Sequence, residues 1–189
     1  MRTLKSQRGS LEVAAIGLML FLVCTLVFAK YVRVLRNEKL DQGLGDTIDI
    51  VRMAVESYAT ENKAAFQQGK TIMMINDQYA PTITELQNLG YLALFAGTNT
   101  VNPFGSTYGI KLTLNANKSI TGLVYLQSSM LNSLGQPDQQ RACRVAHALR
   151  DRGVCTSPVS SAVLQNGTTQ LANPSGQPAV VGALVFVAP

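Results

Sequence analysis

Three residues carry side chains of a kind that could do chemistry together: Cys143, His147 and Cys155. Cys143 and His147 are four positions apart, so a helix would place them on one face. A thiol beside an imidazole is the raw material of a nucleophile and its base. The same two groups are also zinc donors. Both uses need more than this. A nucleophile also wants a group to orient the base and an oxyanion site, and a structural zinc wants four ligands. Cys155 supplies a third ligand and no fourth follows it. The competing reading is a solvent-facing histidine with no chemical task. The glycines form neither G-x-G-x-x-G nor a P-loop. No cofactor or metal is expected, and the chain does not read as an enzyme.

A fourth residue stands apart. Glu12 sits at the start of the run from Gly9 to Ala29, and between Val13 and Ala29 no charge occurs. A bilayer core about 30 Å thick needs roughly 20 apolar residues in a helix that rises about 1.5 Å per residue. The uncharged run is slightly short. Lys30 can snorkel, and Tyr31, Val32, Val34 and Leu35 extend it. A carboxylate at the end of a membrane helix is costly without a partner and so marks a device.

This arrangement resembles the prepilin signal of type IV pilins: a basic leader ending in Gly9, a Glu shortly after, then an apolar helix running into an amphipathic one. The resemblance implies cleavage by a prepilin peptidase between Gly9 and Ser10, and methylation of the new N-terminus at Ser10. It also implies that Glu12 neutralises the N-terminal amine of a neighbouring subunit. The family usually places this Glu at the fifth mature position, and here it is at the third. Two other readings compete. Val27-Phe28-Ala29 would serve as the cleavage site of a secretory signal peptide. The run would also serve as a plain single-pass anchor. The three readings put the mature N-terminus at Ser10, Lys30 or Met1.

The formal net charge is +5. Arg2, Lys5 and Arg8 lie in the leader, so +5 less three leaves +2 for the rest. No basic stripe with interleaved aromatics appears, and no direct nucleic-acid binding is expected. The three leader cations face Lys30, Arg33, Arg36 and Lys39 beyond the helix, partly offset by Glu38 and Asp41. The positive-inside balance is therefore close, and a cytoplasmic N-terminus follows from the leader's resemblance.

Past the membrane run, Leu44, Ile48, Val51, Val55 and Tyr58 form one stripe at helical spacing, with Asp46, Asp49, Arg52, Glu56 and Glu61 off it. The helix should reach about Phe66 and stop at Gly69. Gly43 and Gly45 interrupt it, as a hinge that melts on assembly or as a simple kink. Ile72 to Ile75 reads as a short strand. Thr82 and Glu85 form a capping box ahead of Leu86 and Leu89, and Gly90 ends that turn. Asn102 to Gly105 is a tight turn by composition. Tyr108, Ile110, Leu112 and Leu114 alternate, as do Ile120, Gly122, Val124 and Leu126 after the turn at Asn115 to Lys118, so the two runs form a hairpin. Gln139 to Leu149 is a helix with Ala142, Val145, Ala146 and Leu149 on its apolar face. Val159 to Leu164 reads as a strand, Asn166 to Pro178 as a loop, and Ala179 to Val187 as a buried final strand. Asn117-Lys118-Ser119 and Asn166-Gly167-Thr168 match the glycosylation pattern, which is common by chance.

The order Thr84-Glu85-Leu86, Gly90-Tyr91-Leu92, Asn102-Pro103-Phe104-Gly105 and Tyr108-Gly109-Ile110 is similar to the head of minor pilins of the conjugative thin-pilus kind, the N-terminal domains of the shufflon type. The long C-terminal adhesin of that kind is not expected here. The resemblance implies an α+β fold, with a long N-terminal helix packed on a small antiparallel sheet. The divisions would be a leader at 1–9, a membrane or filament-core helix at 10–36, its amphipathic outer half at 37–69 and a head at 70–189. Pilins often staple their C-terminal region, and an oxidising compartment favours a disulfide between Cys143 and Cys155. One helix through both would separate them by about 18 Å, against the roughly 4.4–6.8 Å a bridge allows. The helix must then end near Leu149 to Arg152, with Gly153 turning the chain. Cys24 lies in the apolar run as a small apolar group.

The implied function is a structural pilin or minor pilin of the inner membrane, later a surface filament serving adhesion, conjugation or DNA transfer. Its partners would be other pilin subunits, the prepilin peptidase, an inner-membrane assembly platform and membrane lipid. A type II secretion pseudopilin is the near alternative. Its head often carries a calcium site, for which the C-terminal half offers only Asp138 and Asp151. A membrane-anchored periplasmic protein is the distant one.

Overall fold

A computed structural model describes residues 3–93, 106–167 and 169–189, with the side chains of 3–15 and of Arg33 excepted. The chain forms two compact units, Met1–Leu40 and Asp41–Pro189. Helix α1 (Thr3–Glu61) begins in the first and ends in the second. The other helices are α2 (Lys63–Gln68), α3 (Ile83–Asn88) and α4 (Gln139–Ala148), the last followed by a 3-10 turn at Arg150–Arg152. The strands are β1 (Tyr108–Leu114), β2 (Ile120–Leu126), β3 (Gly153–Ser157), β4 (Ser160–Asn166), β5 (Thr169–Ala172) and β6 (Val181–Val187). The described residues are thus a mixed helix and antiparallel-sheet protein with one long apolar N-terminal helix.

All six strands join one antiparallel sheet in the order β1-β2-β6-β3-β4-β5. The last strand in the chain is therefore an inner one, between the two hairpins. Helical spacing on α1 and strand alternation on the sheet generate one core. Leu44, Ile48, Val51, Val55 and Tyr58 of α1 are buried in it with Ile110, Leu112, Ile120, Val124, Val181 and Val185 of the sheet. Ala142, Val145, Ala146 and Leu149 close it from α4. The opposite sheet face has a smaller cluster of Leu123, Val154, Leu164 and Val180. Burial of apolar area at about 25 cal/mol per Å² favours both layers.

Local chemistry sets the boundaries. Gly69, at φ +64°, ends α2 in the left-handed conformation that glycine adopts without strain. Thr82 and Glu85 form a reciprocal capping box at α3, and Asp138 accepts from the Arg141 amide to cap α4. Helix α1 runs on through Gly43 and Gly45. Gly45 is where α4 comes close: a Cβ there would lie 3.0 Å from that of Ala148. Its role is close helix packing.

Two expectations need correction, and one strand is new. Residues Ile72 to Ile75 form a turn and no strand; Met74 has φ +66°, and Ile72 and Ile75 pack against the core from an irregular segment. Asn166 to Pro178 is not all loop, because Gly167 at φ +54° folds β5 back onto β4 with Leu171 opposite Leu164. Its mostly solvent-facing Thr-Gln-Leu-Ala carries no alternation to read. Strand β3 was not foreseen either: every residue from Gly153 to Ser157 is buried, so period-2 patterning is missing. The turn expected at Asn102 to Gly105 and the third residue of Asn166-Gly167-Thr168 lie outside the described residues.

Candidate functional site

The first unit presents the site that the sequence singles out. Gly9, Ser10 and Glu12 lie on the backbone of α1; the side chains of Ser10 and Glu12 are outside the described residues. From Ile16 to Leu35 the large apolar side chains are solvent-facing, among them Leu18, Phe21, Leu26 and Phe28. Among the described residues α1 is the one helix long and apolar enough to cross a bilayer, judged by length and composition, with mean hydropathy 2.1 in its most apolar window. Polar groups along this surface are few. The Thr25 hydroxyl donates to the Leu22 carbonyl at 2.8 Å, so it needs no outside partner. Cys24 is an exposed free thiol. Such a surface is suited to lipid or to other apolar helices, and a signal sequence would have the same composition.

In the second unit, Cys143 and Cys155 are joined by a disulfide, with Cα atoms 5.1 Å apart. The geometry needed for this is present. Helix α4 ends at Ala148, the 3-10 turn follows, and Gly153 starts β3. A Cβ on Gly153 would collide with the Ala146 carbonyl, so only glycine lets β3 lie against α4. Both sulfurs are committed to the bridge, which leaves neither free as a nucleophile or a zinc ligand. His147 is exposed beside a small recess of about 220 Å³ lined also by Arg150 and Gln165. Among the described residues no three His, Cys, Asp or Glu side chains group to hold a metal.

Other polar side chains organise the second unit without having stood out in the sequence. Asp41 is only 4% exposed and accepts from Arg141 Nε at 2.8 Å, with Arg144 Nη2 at 3.4 Å. Glu56 joins three elements. It accepts from Arg52 at 2.6 Å and from the Phe186 amide of β6 at 3.2 Å, and Arg152 lies 3.8 Å away. Strand β3 pairs β6 only at Val181 to Ala183, so the Phe186 amide has no strand partner on that side and the carboxylate takes its place. Burial opposes the charge on Arg52, but hydrogen bonds to Asp49 and Glu56 outweigh it and raise its pKa. Glu85 is similar in logic. Burial disfavours its charge, yet the amides of Thr82 and Asn76 and the Thr82 hydroxyl hold its pKa below the usual value. Sequence spacing identified Glu85 through the capping box. Nothing local flags Asp41, whose partners lie a hundred or more residues away.

No protein-family model, curated protein or solved structure matches this chain.

Proposed function

We propose that the chain is a structural pilin subunit of a type IV pilus, a minor pilin of the conjugative thin-pilus kind. The observation that carries this reading is the solvent-facing apolar surface of α1 from Ile16 to Leu35, preceded by the basic leader, Gly9, Ser10 and Glu12. The prepilin peptidase cuts between Gly9 and Ser10. The apolar helix then leaves the inner membrane for a bundle of like helices, drawn by the assembly platform. In the bundle its surface stays away from water, at about 25 cal/mol per Å². Glu12 pairs there with an N-terminal amine, because an unpaired carboxylate is strongly disfavoured in such a setting. The compact unit from Asp41 onward is the part displayed on the filament, with its disulfide suited to an extracellular site.

The test is the mass and N-terminal sequence of the protein from cells with and without the prepilin peptidase, together with imaging of filaments by an antibody to the Asp41–Pro189 unit. The proposal expects Ser10 as the mature N-terminus, a longer form without the peptidase, and decorated surface filaments. A mature chain beginning at Lys30 makes the run a signal peptide, and one beginning at Met1 makes it a plain anchor. Processed protein confined to the periplasm favours a pseudopilin.

A further inference from the structure

The sheet face turned away from α1 carries a groove of about 600 Å³ that the assembly reading does not use. Two cross-strand rows make its floor. Lys111, Leu123 and Leu184 stand in register on β1, β2 and β6, and beside them stand Thr113, Thr121 and Phe186. Leu171, Pro174, Asp151 and Arg152 line it as well. The volume falls within the range of small-molecule sites, about 300–1,000 Å³.

The chemistry of the groove narrows its ligand. Phe186 offers an aromatic ring that is 48% exposed. In the same lining, the exposed Lys111 ammonium, Asp151 carboxylate and hydroxyls of Thr113 and Thr169 make no hydrogen bond or ion pair among the described residues. The Arg152 guanidinium is instead shared with Glu56. The free set holds one donor cation, one acceptor anion and two hydroxyls that can do either. A net anion would meet Asp151 and a net cation would meet Lys111. An acyl chain would use the floor and none of the four exposed polar groups. A ligand with an apolar face and many groups that both donate and accept uses everything present. We infer that this groove binds a neutral saccharide, its C–H face on Phe186, its hydroxyls on Asp151, Lys111, Thr113 and Thr169.

The experiment is saturation-transfer NMR on the full chain in dodecylphosphocholine micelles, with methyl mannoside, lactose and chitobiose as probes. Dodecanoate and glycylglycine serve as an anionic amphiphile and a zwitterion. Saturation transfer to at least one sugar is expected, with affinity falling about tenfold in Phe186→Ala, as the loss of a ring contact implies, and falling also in Asp151→Asn. Both positions are exposed enough to alter without unfolding, and circular dichroism with retention of the disulfide checks this. The inference is overturned by the absence of transfer from all three sugars. It is equally overturned by sugar transfer that survives both substitutions, or by stronger competition from dodecanoate or glycylglycine. None of these results bears on N-terminal processing, so the pilin reading stands or falls separately.

Discussion

Arg141 Nε donates to Asp41 Oδ1 at 2.8 Å, tying α4 to α1 across a hundred residues of chain. The carboxylate is almost wholly buried and takes a second, longer contact from Arg144. Removing it takes a charge-assisted hydrogen bond from the Arg141 guanidinium in a poorly solvated place. Asp41→Ala should lower unfolding free energy by about 1.5–3 kcal/mol, the range for a hydrogen bond to a charged group. Arg144 is half exposed, so Arg144→Ala should cost under about 1 kcal/mol. Denaturant midpoints of the two variants compare them directly, and equal losses would contradict the assignment.

Gly43 and Gly45 of α1 should respond in opposite directions. Nothing lies within 4 Å of a Cβ built on Gly43, so Gly43→Ala should gain up to about 1 kcal/mol from helix propensity alone. Gly45 faces Ala148 at close range. A larger side chain there must push α4 away, and Gly45→Leu should cost about 1–3 kcal/mol as overpacking does. Thermal melts read both. A hinge role for Gly43 predicts instead that its alanine variant is as stable as the parent but slower to assemble.

The corner between α4 and β3 depends on Gly153. Gly153→Ala should cost about 3 kcal/mol, since the new methyl meets the Ala146 carbonyl, which is helix backbone and cannot step aside. It should also strain the closure of the disulfide. Thiol titration of the folded parent should find only Cys24, and the variant should show additional thiol. Replacing both Cys143 and Cys155 by Ala removes a short cross-link and should lower stability by about 2–3 kcal/mol.

Acid should loosen the start of α3. The Glu85 carboxylate holds the amides of Thr82 and Asn76 and has a lowered pKa in the folded chain. The unfolded chain therefore takes up the proton at higher pH than the folded one. The stabilisation is complete above about pH 4.5, the ordinary value, and drains away as pH falls through the lowered folded value. Glu85→Gln should be less stable than the parent at pH 7 and should flatten that acid limb. Stability measured from pH 7 to pH 2.5 tests the sign.

What was legible in the residues was what local physics dictates. The stripe on α1, the capping box at Thr82, the hairpin of β1 and β2, and the apolar face of α4 each follow from spacing of three, four or two. Strand β3 escaped because it is buried on both faces and has no alternation. Strand β5 escaped because its residues are mostly solvent-facing and polar; only its pairing with β4 makes it a strand. The condition for the disulfide was readable as a requirement that α4 stop before Gly153. Asp41, Glu56 and the groove over Phe186 were not readable, because each is made by contacts between elements distant in the chain. The apolar run was the plainest signal, yet the side chain of Glu12 remains outside the described residues.

The strand order has a consequence for biogenesis. With β6 seated between the β1–β2 hairpin and the β3–β4–β5 ribbon, neither half can zip to the other until the ribosome has delivered Val181 to Val187. During synthesis the emerging polypeptide would hold two ragged half-sheets, each with a sticky flank awaiting the same missing piece. A holdase chaperone would therefore matter more to this fold than to one whose keystone is made early.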